Sequence, residues 1–171
     1  MRGAQVRSDA PPARKLTFYE VLTLASIVEH ESPLDTERPL VAGVYQNRLD
    51  GLNGVAKLLG ADPTVIYGVD TVALANTPIE GWKDYFFWEV PKGKMGQITL
   101  PKALAGYQTY QRAGLPPGPI ATPTESSIDA VLQPNQKDGY LYFVAIPKTQ
   151  THAFAKTLAE HNANLHKYGY L

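Results

Sequence analysis

No cysteine occurs among the 171 residues, which excludes disulfides, thiolate nucleophiles and cysteine-ligated zinc. Net charge is missing as well. Sixteen basic side chains balance sixteen acidic ones with no Lys/Arg cluster, so nucleic acid and other polyanions find no electrostatic footprint. No apolar run approaches the ~20 residues a membrane helix requires, and the N-terminus lacks a signal-peptide core. The chain has no internal repeat, phosphate-cradling glycine loop, dinucleotide fingerprint or Gly-x-Ser-x-Gly elbow. Its four histidines include no His-Glu-x-x-His, and His161 and His166, five apart, fall on different helix faces, so no metal site is read. What is present is a 44% hydrophobic fraction, which suits one globular domain with a sizeable core.

The most informative stretch is Leu16 to Pro33, LTFYEVLTLASIVEHESP, apolar on nearly every side and so read as a buried helix. Thr17 followed three residues later by Glu20 has capping-box spacing and marks its start. Pro33 pushes Ser32 out of helical geometry and marks its end. At 100° per residue, Glu29 stacks over Ala25 and Leu22, and Glu31 over Ile27 and Leu24. Apolar neighbours and the negative end of the helix dipole both disfavour ionisation, so both carboxyls are expected above the usual range. A carboxyl that keeps its proton near neutrality is what a general acid acting on a glycosidic oxygen needs. From the stretch alone a structural helix is the favoured reading, its glutamates paired with arginine or reaching solvent.

Before this helix, residues 1–15 are polar and Pro/Ala-rich and read as a disordered lead or linker. After it, Asp35 or Thr36 is expected to cap a second helix to about Leu52, with Leu40, Val41, Val44, Tyr45 and Leu49 as its apolar stripe. Arg48 on that helix can neutralise Glu29 or Glu31, or orient a substrate hydroxyl. Asp62 before Pro63 reads as the N-cap of a short helix. The aromatic run WKDYFFWEV within 70–98 is expected to be a strand returning as a hairpin through Gln97 to Leu100. Its rings, Trp82 to Trp88, are read as core in preference to a sugar-stacking platform. The prolines of 114–123 forbid helix interior and central strand, leaving a stiff loop suited to a groove wall. A short helix follows from Thr124 or Glu125, then a strand at Tyr140 to Ile146, a return through Thr151 to Phe154, and a last helix to about Tyr168.

Five ordered stretches, LTLASIVEHE, the helix carrying YQNRL, DPTVIYG, YQTYQRAGLPPGPIATP, and YLYFVA followed by HAFAKTLAEHN, together resemble the endolytic murein transglycosylase family, the YceG-like or MltG proteins. The resemblance spans about Leu16 to Asn164. It implies an α+β domain over 16–171: a buried central helix, surrounding helices, a small antiparallel sheet and a lysozyme-like groove. It also implies cleavage inside peptidoglycan glycan strands, between N-acetylmuramic acid and N-acetylglucosamine, leaving 1,6-anhydromuramyl ends. The family's catalytic glutamate falls on Glu31, which local physics does not separate from Glu29. The pair Glu31-Ser32 is similar to the Glu-Ser pair of other lytic transglycosylases and goose-type lysozymes. Ser32, Arg48, Asp62, Thr64, Tyr67, Tyr107, Gln108, Thr109, Tyr110, His152, Glu160, His161 and Asn162 are then expected to bind substrate or support the groove. The implied reaction uses one glutamate as acid and then base and requires no cofactor or metal.

The chain departs from the family in three ways. Gln108 stands where Asn is usual, Gly60-Ala61 where a polar pair precedes Asp-Pro, and 70–98 has no clear counterpart, reading as an insertion that reshapes one end of the groove. The resemblance places the protein outside the cytoplasm, in the cell envelope, normally anchored to the membrane through a segment this chain lacks. By resemblance alone, cell-wall synthases or division proteins are possible partners. Two other readings stay open: a glycan-binding module without catalysis, and a hydrolytic muramidase with Asp62 as second carboxylate.

Overall fold

The computed structural model describes residues 15–171, so most of the stretch read as a lead lies outside the described residues. The first helix, α1, runs Phe18–Glu31. Its capping box closes as the spacing predicts: Glu20 N–H donates to the Thr17 hydroxyl and Thr17 N–H to the Glu20 carboxylate. Ser32 ends it in extended geometry, its N–H donating to Val28 O. Leu24, Ala25, Ser26, Ile27 and Val28 have no solvent exposure, so this helix is the centre of the core.

Helix α2, Arg38–Asp50, crosses α1, and α4, Glu125–Leu132, packs against both. Val41, Ala42, Tyr45, Leu49, Ala130 and Val131 close the core from these two helices. The expected cap at Asp35 or Thr36 is corrected: the N-cap is Glu37, without a side-chain bond, and Gly51 ends the helix in the left-handed conformation. Glu37 is spent instead on His152, accepting from its ring Nδ1 at 2.8 Å and its backbone N–H at 3.2 Å.

Helix α3, Asp62–Ala75, is longer than the short helix expected, and Ala61 takes the N-cap position. Asp62 sits inside the first turn, where its carboxylate favours the positive end of the dipole without capping. The aromatic run after α3 forms no strand. Ile79–Asp84 is a 3-10 turn, and Trp82, Phe86 and Phe87 are exposed rather than core. With no neighbouring strand among the described residues to complete a ladder, a buried carboxylate helps hold the segment: Asp70 accepts from Tyr85 Oη at 2.7 Å and Trp88 N–H at 3.0 Å. Trp88 takes φ +64°, a conformation costly for a bulky residue, and lays its ring 3.8 Å from His30 between centroids.

The expected hairpin is present as β1, Tyr142–Ala145, antiparallel to β2, His152–Ala155, with Phe143 opposite Phe154. Helix α5, Leu158–Tyr168, covers it. Phe154 lies in β2, where the return through Thr151 to Phe154 was expected. Glu160 closes a second capping box with Thr157. The architecture is α+β, and no described helix is long and apolar enough to cross a membrane.

Candidate active site

Glu31 lies on the wall of an open cleft of about 730 Å³ whose other walls come from residues between Tyr45 and Tyr170. Tyr45 and Arg48 reach it from α2, residues 55–62 from the loop before α3, Tyr110 from the segment after the 3-10 turn Lys102–Tyr107, and β1, His152 and α5 from the C-terminal third. Because α1 ends at Glu31, the chain turns away at Ser32 and leaves the last side chain facing this space.

The Tyr45 hydroxyl, itself buried, donates to Glu31 Oε1 at 2.5 Å. Burial pushes the Glu31 carboxyl up, the Tyr45 hydrogen bond and the Arg48 charge pull it down, and the Asp62 charge adds to the rise, leaving it at about 7. Glu29 goes the other way. Burial would raise it, but the Thr124 hydroxyl at 2.6 Å, Thr124 N–H at 2.9 Å, the Ser127 hydroxyl at 2.8 Å and Arg38 at 3.1 Å together hold its pKa below the usual value. The expectation that both carboxyls rise is therefore corrected for Glu29.

Arg48 neutralises neither glutamate by contact. Its guanidinium donates to the Leu141 carbonyl at 2.7 Å and to the Leu59 carbonyl, and stands 5.2 Å from the Tyr142 ring centroid. It thus ties the hairpin to the loop before α3 across the cleft floor. The arginine that pairs with Glu29 is Arg38, whose Nε also donates to the Ser32 carbonyl at 3.3 Å and so clamps the turn after Glu31.

Of the residues expected at a groove, Glu31, Arg48, Asp62, Tyr110, His152 and His161 line the cleft. Tyr110 donates to Asp62 Oδ1 at 2.5 Å, and its own hydroxyl pKa is raised well beyond the usual value by burial and that carboxylate. His161 stacks on Tyr142 at 5.2 Å and 23°, with its pKa lowered by burial and then by Arg48. Thr64 and Thr109 lie buried behind the wall. Thr109 Oγ1 accepts from Ala61 N–H at 3.0 Å, Thr64 Oγ1 lies 2.9 Å from it, and Gly60 N–H donates to the Thr109 carbonyl, so the turn carrying Tyr110 is stitched to the start of α3. That stitching sets Asp62 beside Tyr110.

The remaining expected residues do not reach the cleft. Ser32 is buried, its hydroxyl donating to Leu34 O. Gln108 is buried and spends its amide on the carbonyls of Met95 and Ile98, so the residue that replaces the usual Asn anchors the end of the 70–98 segment. Tyr67 and Tyr107 pair with each other at 4.7 Å. Glu160 caps α5, and Asn162 is exposed. Tyr45 and the ring of Tyr142 are cleft residues that sequence reasoning missed. Tyr45 was read only as apolar stripe, although it lies one turn before Arg48 on the same face of α2. Among the described residues no three His, Asp or Glu side chains are grouped as metal ligands.

The fold is that of one protein class: the chain belongs to the YceG-like family, whose sequence model matches residues 3–167. Among individual relatives, it is 35% identical over 158 residues to the endolytic murein transglycosylase of Bacillus subtilis (strain 168), covering 90% of this chain and 36% of that protein. It is 28% identical over 161 residues to the endolytic murein transglycosylase of Streptococcus pneumoniae serotype 2 (strain D39), covering 90% of this chain and 24% of that one. A solved YceG-like protein from Listeria monocytogenes superposes with a TM-score of 0.61 at 34% identity, over 85% of this chain and 39% of the other. The chain thus spans about a third or less of the length of the curated relatives it matches.

Proposed function

We propose that this chain is an endolytic peptidoglycan lytic transglycosylase domain that cuts between N-acetylmuramic acid and N-acetylglucosamine with Glu31 as its one acid–base group, acting in the cell wall outside the cytoplasmic membrane. The observation that carries the reading is the Glu31 carboxyl, poised at about 7 on the wall of an open cleft. Membership of the family and two relatives named endolytic murein transglycosylases support it.

In the first step Glu31 gives its proton to the glycosidic oxygen as the C1–O bond breaks. In the second the muramyl C6 hydroxyl bonds to C1 and returns its proton to the Glu31 carboxylate. The nucleophile belongs to the substrate, so no water is consumed and no second carboxylate is required. A group poised near neutrality serves both directions of proton transfer with little driving force lost. Arg48 and the Asp62–Tyr110 pair hold the cleft walls at a fixed separation, which favours a bound strand oriented before reaction.

Asp62 supports a second reading, because a carboxylate in the same cleft is where a hydrolase would activate water. Mass spectrometry of peptidoglycan digested with the chain separates the outcomes. Anhydromuramyl products that vanish in Glu31→Gln are expected; reducing ends indicate hydrolysis through Asp62, and intact glycan indicates a binding module.

A further inference from the structure

We infer that Tyr45 is a positioning residue: by holding Oε1 of Glu31 it leaves Oε2 as the oxygen that carries the proton to the substrate. The inference deepens the proposed reaction and rests on it for its catalytic consequence, though the hold itself is a property of the folded chain.

The geometry is restrictive. Tyr45 is 1% exposed, wedged edge-on against Phe143 at 5.8 Å and 85°, and its hydroxyl lies 2.5 Å from Glu31 Oε1. A phenol has one O–H, and here it points at that oxygen. An oxygen accepting so short a bond is the poorer place for the carboxyl's own hydrogen, so the neutral acid keeps its proton on Oε2. When Oε2 releases that proton to the leaving oxygen, the negative charge spreads onto Oε1, and the Tyr45 bond becomes charge-assisted and strengthens. Oε2, bare, then takes the proton from the incoming C6 hydroxyl. Tyr45 ends each cycle as it began, and burial, the Glu31 charge and its hydrogen bond keep the phenol itself far from ionising.

Other groups around the carboxyl act through space. Arg48 on α2 pulls its pKa down, and Asp62 on α3 pushes it up. Tyr110, His152 on β2 and His161 on α5 stand on the further walls. Tyr45 is the group in hydrogen-bond contact, so deleting its hydroxyl removes both stabilisation of the carboxylate and the bias between the two oxygens.

The test is a titration of the Glu31 carboxyl carbon by NMR in the whole chain labelled with ¹³C at glutamate carboxyls, the signal assigned by its loss in Glu31→Gln. In Tyr45→Phe the midpoint is expected to rise by about one to two pH units, the equivalent of a hydrogen bond to a charged group. The high-pH limb of glycan cleavage is expected to move with it while the kcat plateau drops about tenfold or more. A fall in kcat or melting temperature with an unmoved midpoint makes Tyr45 a packing residue and overturns the inference. Should Tyr45→Phe not fold, 3-fluorotyrosine at position 45, nearly isosteric and a stronger donor, decides: the midpoint is expected to fall, and no change refutes the assignment. A chain that cleaves no glycan refutes the proposed function, and the titration still decides what Tyr45 does to Glu31.

Discussion

Glu31 is expected to cost the protein stability in proportion to how far its proton is held, and Glu31→Gln exposes that cost without any substrate. Unfolded, the carboxyl titrates at its ordinary 4.5; folded, at about 7. Between those values the unfolded chain has released a proton that the folded chain keeps, so stability falls as pH rises, by about 1.4 kcal/mol per unit. Over the full interval this is roughly 3 kcal/mol as an upper bound, and about 1–3 kcal/mol after allowing for the water that reaches an open cleft wall. Below pH 4.5 the penalty is absent, and above 7 it is constant. Glutamine keeps the shape and carries no titratable proton. Urea denaturation of both proteins from pH 4 to pH 8.5 gives a difference curve to which Glu31 is the main contributor. The variant is expected to gain on wild type through the interval and then level off. A difference flat across the whole range means that Glu31 titrates normally, and the acid–base role fails with it.

Two further perturbations probe the frame around the cleft. Arg38→Met removes the cation from Glu29 and a donor from the Ser32 carbonyl, and should destabilise by about 1–2 kcal/mol at pH 7, since Glu29 is partly exposed and keeps its Thr124 and Ser127 donors; because the depressed Glu29 pKa contributes stability above 4.5 that is lost as pH falls through its folded value, the deficit measured by denaturation should shrink in acid. Gly43→Ala should destabilise despite alanine's helix-propensity advantage of about 1 kcal/mol: a Cβ at Gly43 would sit 2.2 Å from the Asn135 carbonyl oxygen, and overpacking against backbone costs about 1–3 kcal/mol or more, so thermal denaturation should show a melting temperature lower by several degrees.

The sequence carried the parts of this fold whose signals are local. Thr17 and Glu20 mark the start of α1, Pro33 its end, the prolines of 114–123 a loop, and YLYFVAI a strand, and each is decided within about four residues. Failures fall where a distant partner decides. Asp62 before Pro63 has cap chemistry, but Tyr110, 48 residues away, holds the carboxylate while Ala61 takes the N-cap position without a side-chain bond. The aromatic run has strand composition and no strand to join, so Asp70 folds it into turns. Of the residues expected at a groove, the cleft-lining ones were reached largely through family resemblance. Their convergence depends on contacts such as Arg48 to Leu141, 93 residues apart, which no periodicity encodes.

The two glutamates at the end of α1 carry that lesson to the chemistry. Two positions apart, they point about 200° from one another around the helix and meet different neighbours. Glu29 faces the start of α4 and receives three donors there besides a guanidinium, enough to keep its charge despite burial. Glu31 faces α2 and the cleft, where one phenol is its hydrogen-bond donor and a second carboxylate repels. The helix dipole acts on both alike, but burial is much deeper at Glu31 than at Glu29. That unequal burial and the number of donors set the difference together, and those donors sit at Arg38, Tyr45, Thr124 and Ser127. An acid site here is therefore a place left short of donors on purpose of geometry: α1 stops where its last side chain meets open space, and Arg38 fixes the turn that stops it.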